Sequence, residues 1–235
     1  MIVIYGQSNY GAVDEQGGQY AVTRFVHVYY MPLIPTTSFW MTGPERGFEI
    51  GMAWKSVLAA YARTWGLLAA LVLTVTGFGG AGILMGLFGL VIGALAVATW
   101  MMWSKRRTED AKLRGHLNAL AFGTYCAPEH MKGDLRASIE TEVERRARLA
   151  ESPRPPEDVA RFGTRDLDEL VRCYGVLSLH GRKARPQLEE LLQLKAPSSD
   201  AREGVYRDNH TAFLAGDRAQ MIETIEAAAS QRLIA

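Results

Sequence analysis

The longest feature of the hydropathy pattern is an uncharged run over residues 64–104, rich in Leu, Ala, Val, Ile, Gly and Met. A single helix of these 41 residues would be roughly 60 Å long, at about 1.5 Å per residue. A bilayer core is only about 30 Å thick, so the run is long enough for two crossings. A glycine-rich segment over residues 77–82 lies near its middle and suits a tight turn. The pattern predicts a transmembrane helical hairpin, with crossings at about 57–78 and 82–103.

Both outer ends of this hairpin carry aromatic and cationic residues of the kind that anchor helices at a membrane surface. The predicted membrane-interface residues are Trp54, Arg63, Trp65, Trp100, Trp103, Lys105, Arg106 and Arg107. The turn around Gly79 carries no cation. Because positive charge concentrates on the cytoplasmic side, we expect a multi-pass protein of the bacterial cytoplasmic (inner) membrane with both termini in the cytoplasm.

The second crossing has glycines at a spacing of three or four residues. The predicted helix-packing residues are Gly82, Gly86, Gly89 and Gly93. Glycine at this spacing lets two helix backbones approach closely. The partner is either the first helix of the same hairpin or a helix of another chain, through self-association or in another membrane subunit. No ionisable residue lies deep in either crossing, which argues against an ion transporter or channel.

The segment over residues 1–53 is apolar and aromatic, with short runs typical of β-strands. Residues 2–5 form one such run, and turn-forming residues follow it. Residues 20–30 are rich in β-branched and aromatic side chains, which predicts a strand buried on both faces or lying against the membrane. Residues 31–35 contain two prolines and are expected to interrupt this strand. We expect a small antiparallel β unit joined directly to the first membrane helix.

Three stretches of this segment carry a family resemblance. They are Tyr5-Gly6, Thr23-Arg24-Phe25-Val26-His27-Val28-Tyr29-Tyr30-Met31-Pro32-Leu33-Ile34-Pro35 and Ser38-Phe39-Trp40. They resemble bacterial zinc-ribbon-like proteins, and also uncharacterised bacterial membrane proteins in which such a unit precedes a transmembrane hairpin. Residues 1–60 contain no cysteine, so a zinc site with Cys ligands cannot form here. Without these cysteines, the resemblance implies the fold of a metal-free β unit and no activity. We expect no cofactor.

A cluster of aromatic residues and one proline stands out in the β unit. Its members are Tyr29, Tyr30, Pro32, Phe39 and Trp40. The cluster forms either a small aromatic core or a surface that contacts lipid headgroups or a partner protein. His27 is the only histidine of the segment, and we expect a strand position that is half buried or at the headgroup level, rather than a ligand or general base.

Residues 105–235 hold 43 of the 51 charged residues, which is typical of a soluble segment. Apolar residues recur at helical spacing, and prolines separate the helical stretches. The predicted helices are a continuation of the second crossing to about residue 125, then about 132–151, 164–179, 186–195 and a last one opened by Asp217. Residues 196–199 are a predicted linker. We expect an all-α cytoplasmic domain of about five helices.

The few candidate chemical groups of this domain are cysteines and histidines. Cys126 and His130 lie four residues apart, and Cys173, His116 or His180 would have to complete a site. This spacing matches no common metal site, and no residue marks an orienting third group for a nucleophile. The net charge of +1 gives no indication of nucleic-acid binding.

The complete pattern predicts a membrane α+β fold. It comprises a small antiparallel β unit (1–53), a two-helix transmembrane hairpin (54–104) and an all-α cytoplasmic domain (105–235). Our main hypothesis is a non-enzymatic scaffold, accessory or stabilising subunit of a larger membrane protein complex, with the lipid bilayer and other membrane subunits as partners. The alternative is a membrane-anchored enzyme or ligand sensor with a site in the cytoplasmic helical domain. The poor and scattered set of candidate catalytic groups favours the first.

Overall fold

The computed structural model describes residues 4–105, 108–149, 154–164, 166–194 and 218–234. The chain divides into two compact units, Met1–Arg107 and Thr108–Ala235. The first unit contains a small antiparallel sheet and two long apolar helices. The second unit is mostly helical in its described residues. The expectation of a small antiparallel sheet followed by a mostly helical chain is confirmed.

Four strands form the sheet of the first unit, in the order β1-β2-β3-β4 with antiparallel neighbours. They are β1 (Tyr5–Gln16), β2 (Gln19–Val28), β3 (Met31–Met41) and β4 (Gly47–Ile50). Short turns connect consecutive strands, so the sheet is a simple meander. Only three residues separate β4 from the first helix.

Strand β1 is longer than the sequence predicts, because turn-forming residues lie within the strand rather than after it. Gly11 and Asp14 have positive φ angles of 70° and 57°. The register with β2 shifts between Tyr10 and Val13, and again before Gln16. These irregularities are β-bulges, which place glycine and aspartate in a strand without ending it. The expected short strand followed by turns is therefore wrong.

Residues 31–35 belong to β3 instead of interrupting the preceding strand as expected. The chain reverses just before them, at Tyr29 and Tyr30, and Val28 pairs with Met31 across this two-residue turn. The register between β2 and β3 shifts twice around the prolines. Proline is tolerated at such bulges because it has no ladder hydrogen bond to donate there.

Two helices of the first unit are long and apolar enough to cross a membrane, which confirms the predicted apolar pair. They are α1 (Trp54–Gly80) and α2 (Ile83–Trp103), with 27 and 21 residues. Their bounds lie within three residues of those predicted, 57–78 and 82–103. Glycines with positive φ angles reverse the chain between them.

The sheet packs on the first half of α1. Phe25 of β2 is buried together with Val57 and Ala60 of α1. The rings of Tyr10 and Tyr61 contact Phe25 edge to face, at centroid distances of 5.8 and 5.5 Å. Such aromatic pairs add to the stabilisation that comes from burial of apolar area. This core fixes the sheet to α1.

The second half of α1 packs on α2 through glycine. A Cβ atom added to Gly77 would lie 2.1 Å from the backbone nitrogen of Gly86. One added to Gly89 would lie 2.5 Å from Thr74 Oγ1 and 2.6 Å from the Thr74 backbone nitrogen. No side chain fits at these distances, so the two helix backbones touch directly.

The four predicted helix-packing glycines therefore differ in their surroundings. Gly86 and Gly89 lie at the contact with α1, which is the first of the two partners that the sequence leaves open. A Cβ atom on Gly93 would lie 3.3 Å from Ala70 Cβ, at the margin of that contact. Gly82, at the turn, has nothing within 4 Å.

Six α-helices are described in the second unit. They are α3 (Glu109–Phe122), α4 (Gly133–Leu149), α5 (Pro156–Phe162), α6 (Leu167–Leu179), α7 (Arg185–Leu191) and α8 (Arg218–Ile234). Helix α3 packs against α6 and α8, and α4, α5 and α7 also contact α6. Between α3 and α6 the Tyr174 hydroxyl donates a hydrogen bond to Asn118 Oδ1 at 2.8 Å, so this buried polar pair is satisfied.

Helix α2 does not continue into the second unit as the sequence predicts. It ends at Trp103, and α3 begins at Glu109, where Thr108 Oγ1 accepts a hydrogen bond from the backbone N–H three residues later. Gly123, with a φ angle of 75°, ends α3 before the proline expected to end it. The sequence does not predict α5, because its prolines indicate a break, although proline suits a first helical turn. Asp217 and the linker at 196–199 lie outside the described residues.

We expect Gly89→Ala to destabilise the helix pair and Gly79→Ala to leave it unchanged. The new Cβ at position 89 meets backbone atoms of Thr74 and Ala70, whereas position 79 has open space around it. Overpacking of this kind costs about 1–3 kcal/mol. Thermal unfolding of the two variants in detergent measures the difference. Equal midpoints for both variants would contradict the backbone contact.

Candidate functional site

Arg63 connects three parts of the first unit where the sheet meets the helix pair. Its Nη1 donates a hydrogen bond to the carbonyl of Ala12 in β1 at 2.8 Å. Its Nη2 lies 3.5 Å from the carbonyl of Thr99 in α2 and 3.4 Å from Ser104 Oγ. The guanidinium carbon lies 5.6 Å from the ring centroid of Trp100. One side chain of α1 thus binds both β1 and the end of α2.

The backbone around Arg63 is irregular. Residues Ala62–Gly66 form a π-type turn within α1. Such turns change the direction of the side chains that they carry, and they are frequent at functional sites. Arg63 Nε is buried and makes no hydrogen bond with any described residue. A buried donor without an acceptor is costly, so its presence distinguishes this position from an ordinary packing position.

Two further contacts hold β1 against the outer ends of the helices. Lys55 Nζ lies 2.5 Å from the carboxylate of Asp14. The backbone N–H of Glu15 donates a hydrogen bond to the carbonyl of Ser104 at 2.8 Å, and Glu15 also forms an isolated β-bridge with Lys105. Because Lys55 lies at the start of α1 and Ser104 directly follows α2, β1 contacts the outer ends of both helices.

An open cleft of about 670 Å³ lies beside Arg63. Ligand pockets in proteins have volumes of roughly 300–1,000 Å³. Residues of the sheet, α1 and α2 line the cleft, and its polar members include Asn9, Glu15 and Tyr20 beside Arg63. Trp100 contributes an aromatic wall. These groups can hold a small polar molecule or a lipid headgroup through hydrogen bonds and ring contacts.

The turn between β2 and β3 is attached to α1 by two side chains. The indole Nε1 of Trp65 donates a hydrogen bond to the carbonyl of Pro32 at 2.9 Å. The hydroxyl of Tyr61 donates one to the carbonyl of Leu33 at 2.6 Å. Both donors belong to the part of α1 that also carries Arg63. The cleft extends from Arg63 towards the opposite end of the strands, where Gly18, Met41 and Pro44 line it.

The structure does not gather the predicted aromatic cluster into one surface. Trp40 is buried, and its Nε1 donates a hydrogen bond to Gln19 Oε1 at 2.9 Å. Phe39 stacks with the guanidinium of Arg24, whose carbon lies 4.6 Å from the ring centroid. Pro32 is buried beneath the turn. These three residues thus serve the packing of the β unit.

The other two members of the cluster, Tyr29 and Tyr30, are exposed at the turn. His27 lies beneath them, more deeply buried than the half-buried strand position expected. Its ring stacks on Tyr30 at a centroid distance of 5.7 Å. The cluster therefore divides into a buried part and an exposed pair of tyrosines.

The predicted membrane-interface residues lie at two levels along the helix pair. At one level are Arg63, Trp65 and Trp100. Trp54 begins α1, Trp103 ends α2, and Lys105 pairs with Glu15 of β1. Trp54 and Trp65 are eleven residues apart in α1, which corresponds to about 16 Å of helix. Arg106 and Arg107 lie outside the described residues.

The cysteines and histidines of the second unit are divided between buried and exposed positions. Cys126 and Cys173 are fully buried, and burial raises the pKa of Cys173 to about 11, so little thiolate is present at neutral pH. His116 is also buried, whereas His130 and His180 are exposed. Among the described residues, no group of three or more His, Cys, Asp or Glu is placed to hold a metal ion.

Sequence reasoning identifies Arg63, Trp65 and Trp100 but not the groups that bind them. The carbonyl of Ala12 and the hydroxyl of Ser104 carry no distinctive pattern. The available signal was the arginine itself, because a cation near the end of an apolar helix needs a polar partner or the membrane surface.

Comparison of the chain with models of protein families, with curated proteins and with solved structures finds no match. These comparisons do not show the bacterial family that the N-terminal segment resembles.

We expect Arg63→Gln to destabilise the first unit by about 2–3 kcal/mol, because hydrogen bonds from a charged group are lost. Arg24→Gln is the matched control, since its side chain stacks on Phe39 at the sheet surface, and its loss costs about 1 kcal/mol or less. Thermal unfolding in detergent compares the two variants. Equal losses of stability would contradict a connecting role for Arg63.

Proposed function

We propose that this chain is a non-enzymatic integral membrane protein, an accessory or scaffold subunit of a larger membrane complex. In this proposal α1 and α2 cross the bacterial cytoplasmic (inner) membrane, and both termini lie in the cytoplasm. The hairpin then tethers the sheet and the second unit to the cytoplasmic face of the membrane.

The exposed apolar surface of the helix pair carries this proposal. In the most apolar 18-residue stretch of each helix, only 22% of α1 and 17% of α2 is buried. A helix that is apolar all round belongs either in the core of a large protein, where it would be mostly buried, or in a membrane. The exposed large side chains include Leu71, Val75, Leu84, Phe88 and Leu95. Leaving them in water would cost about 25 cal/mol per Å² of apolar surface.

The helix lengths support two crossings. The 27 residues of α1 extend about 40 Å and the 21 residues of α2 about 32 Å. Both lengths reach the roughly 30 Å of a bilayer core. The excess of α1 lies in its first half, where the sheet covers one of its faces. The remaining length of α1 therefore matches α2.

The distribution of cations supports the orientation. Lys55 and Arg63 lie towards the outer end of α1, and Lys105 follows the outer end of α2. The turn around Gly79 carries no cation. Excess Lys and Arg near the ends of membrane helices marks the cytoplasmic side.

The outward faces of the helix pair, which the hairpin leaves exposed, support the scaffold role. Gly86 and Gly89 are used within the hairpin, against α1. The outward faces consist of large apolar side chains, which lipid or helices of another subunit can cover. The resemblance to bacterial membrane proteins with a β unit before a hairpin supports the same assignment.

The alternative is an enzyme or ligand sensor with a site in the second unit, and one cavity among the described residues of that unit bears on it. A cavity lined by Val159, Leu170 and Leu191 has a volume of about 10 Å³. This is about the space of a single water molecule. It is lined mainly by apolar residues, and none of the candidate cysteines and histidines contributes to it.

The orientation is tested with single added cysteines and a membrane-impermeant maleimide. We expect Gly79→Cys to be labelled in intact cells, and Glu129→Cys only after the inner face is opened. The native thiols of Cys126 and Cys173 are fully buried, so the unmodified chain is the unlabelled control. The reverse pattern would overturn the orientation, and labelling of both variants in intact cells would contradict the hairpin.

The subunit role is tested by purification of the tagged full-length chain at native expression in a mild detergent. We expect a membrane protein to co-elute in fixed stoichiometry, because the described residues leave the outward helix faces exposed. Mass spectrometry identifies the partner, and light scattering gives the mass of the complex. Elution as a monomer or a homo-oligomer alone would contradict the proposed role.

A further inference from the structure

The turn between β2 and β3 exposes large apolar and aromatic side chains at one end of the sheet. We define the hairpin tip by these residues: Ile4, Tyr5, Tyr29, Tyr30, Leu33 and Ile34. Each is at least 39% exposed, and Tyr30 and Ile34 reach 64% and 62%. The pairing of Tyr5 with Val28 brings the start of β1 to the same end. The tip contains no charged residue.

The turn itself has an unfavourable local sequence. Tyr29 and Tyr30 have φ angles of 49° and 63°, both in the left-handed region. Two-residue hairpin turns with two positive φ angles strongly favour Asn-Gly, because a Cβ atom clashes with the backbone there. Two tyrosines at these positions indicate that the side chains serve a purpose that turn formation does not explain.

The level of the tip along α1 is fixed by hydrogen bonds. Trp65 and Tyr61 of α1 hold the carbonyls of Pro32 and Leu33 at 2.9 and 2.6 Å. Fifteen residues separate Trp65 from Gly80, about 22 Å of helix. A bilayer core of about 30 Å that ends at Gly80 therefore begins about 8 Å before Trp65, near Tyr61. The tip lies at that boundary.

We propose that the hairpin tip inserts into the interfacial region of the bilayer, between the lipid headgroups and the acyl chains. This inference rests on the proposed membrane function. The sheet is then bound to the membrane at a second place, beside the hairpin that crosses it.

Lipid is the occupant that the structure favours. The tip adjoins α1 at the level where its apolar exposed surface begins, so the same bilayer meets both. Tyrosine is enriched at membrane interfaces, because its ring is apolar and its hydroxyl remains hydrated. Burial of Ile34 and Leu33 in the same region removes further apolar surface from water.

The test uses full-length protein in vesicles of phosphatidylcholine and phosphatidylglycerol, with a polarity-sensitive fluorophore on one added cysteine. Ile34→Cys reports the tip. Glu45→Cys, in the turn at the opposite end of β3, is the aqueous control. Leu84→Cys, near the start of α2, reports the membrane hairpin itself. Lipids with a nitroxide just below the headgroup act as the quencher.

We expect the probe at Ile34 to be blue-shifted and quenched, the probe at Leu84 to be blue-shifted, and the probe at Glu45 to behave as in water. A blue-shifted Leu84 probe with an Ile34 probe that resembles Glu45 would overturn the tip insertion alone. A Leu84 probe that resembles Glu45 would overturn the membrane hairpin, and the inference with it. A blue-shifted Ile34 probe that lipid nitroxide does not quench would mean that protein covers the tip, which also overturns the inference.

The double variant Tyr29→Asn/Tyr30→Gly separates insertion from folding. Asn-Gly is the preferred sequence for this turn, so the variant should fold at least as well as the unmodified chain. We expect the Ile34 probe to lose most of its quenching in this background, while the Leu84 probe keeps its blue shift. Unchanged quenching at Ile34 would overturn the role of the two tyrosines.

Discussion

Helix α1 has to be covered by two different partners along its length, and the architecture of the first unit follows from this. Its first half packs on the sheet through Val57 and Ala60, and its second half packs on α2 through glycine. A sheet needs side chains to fill the space beside a helix, whereas two helices with glycine at their contact can approach until their backbones touch. The small residues are therefore concentrated where α2 begins to pack.

The change from one partner to the other occurs at the π-type turn that carries Arg63. Its guanidinium reaches the carbonyl of Ala12 and the end of α2 at once. A cation can remain there because backbone carbonyls and a hydroxyl replace part of its hydration. The ion pair between Lys55 and Asp14 and the hydrogen bond from the Glu15 N–H also hold β1 at the outer helix ends. Polar contacts thus set the register of the sheet against helices that are otherwise apolar.

The helix pair could be predicted from sequence because a long uncharged run has few alternatives. For the sheet, only the presence of a small antiparallel β unit could be predicted, and not the course of its strands. Gly11 and Asp14 look like turn residues, and only the partner strand decides whether they form a turn or a bulge. The site was predictable through its charged and aromatic side chains alone. Its acceptors are backbone carbonyls such as those of Ala12 and Pro32, which every residue possesses, so no pattern marks them.

The turn at Tyr29 and Tyr30 shows how local preference and position in the molecule can disagree. The local backbone favours Asn-Gly, and the observed residues oppose that preference. Stacking of Tyr30 on His27 compensates only in part, because most of the tyrosine surface remains exposed. The Tyr29 N–H also donates a hydrogen bond to the carbonyl of Ile4, and the Tyr10 hydroxyl donates one to the carbonyl of Tyr30. The hydrogen bonds from Trp65 and Tyr61 place the turn where α1 enters its apolar half, so the proposed bilayer contact covers tyrosine surface that the described residues leave exposed.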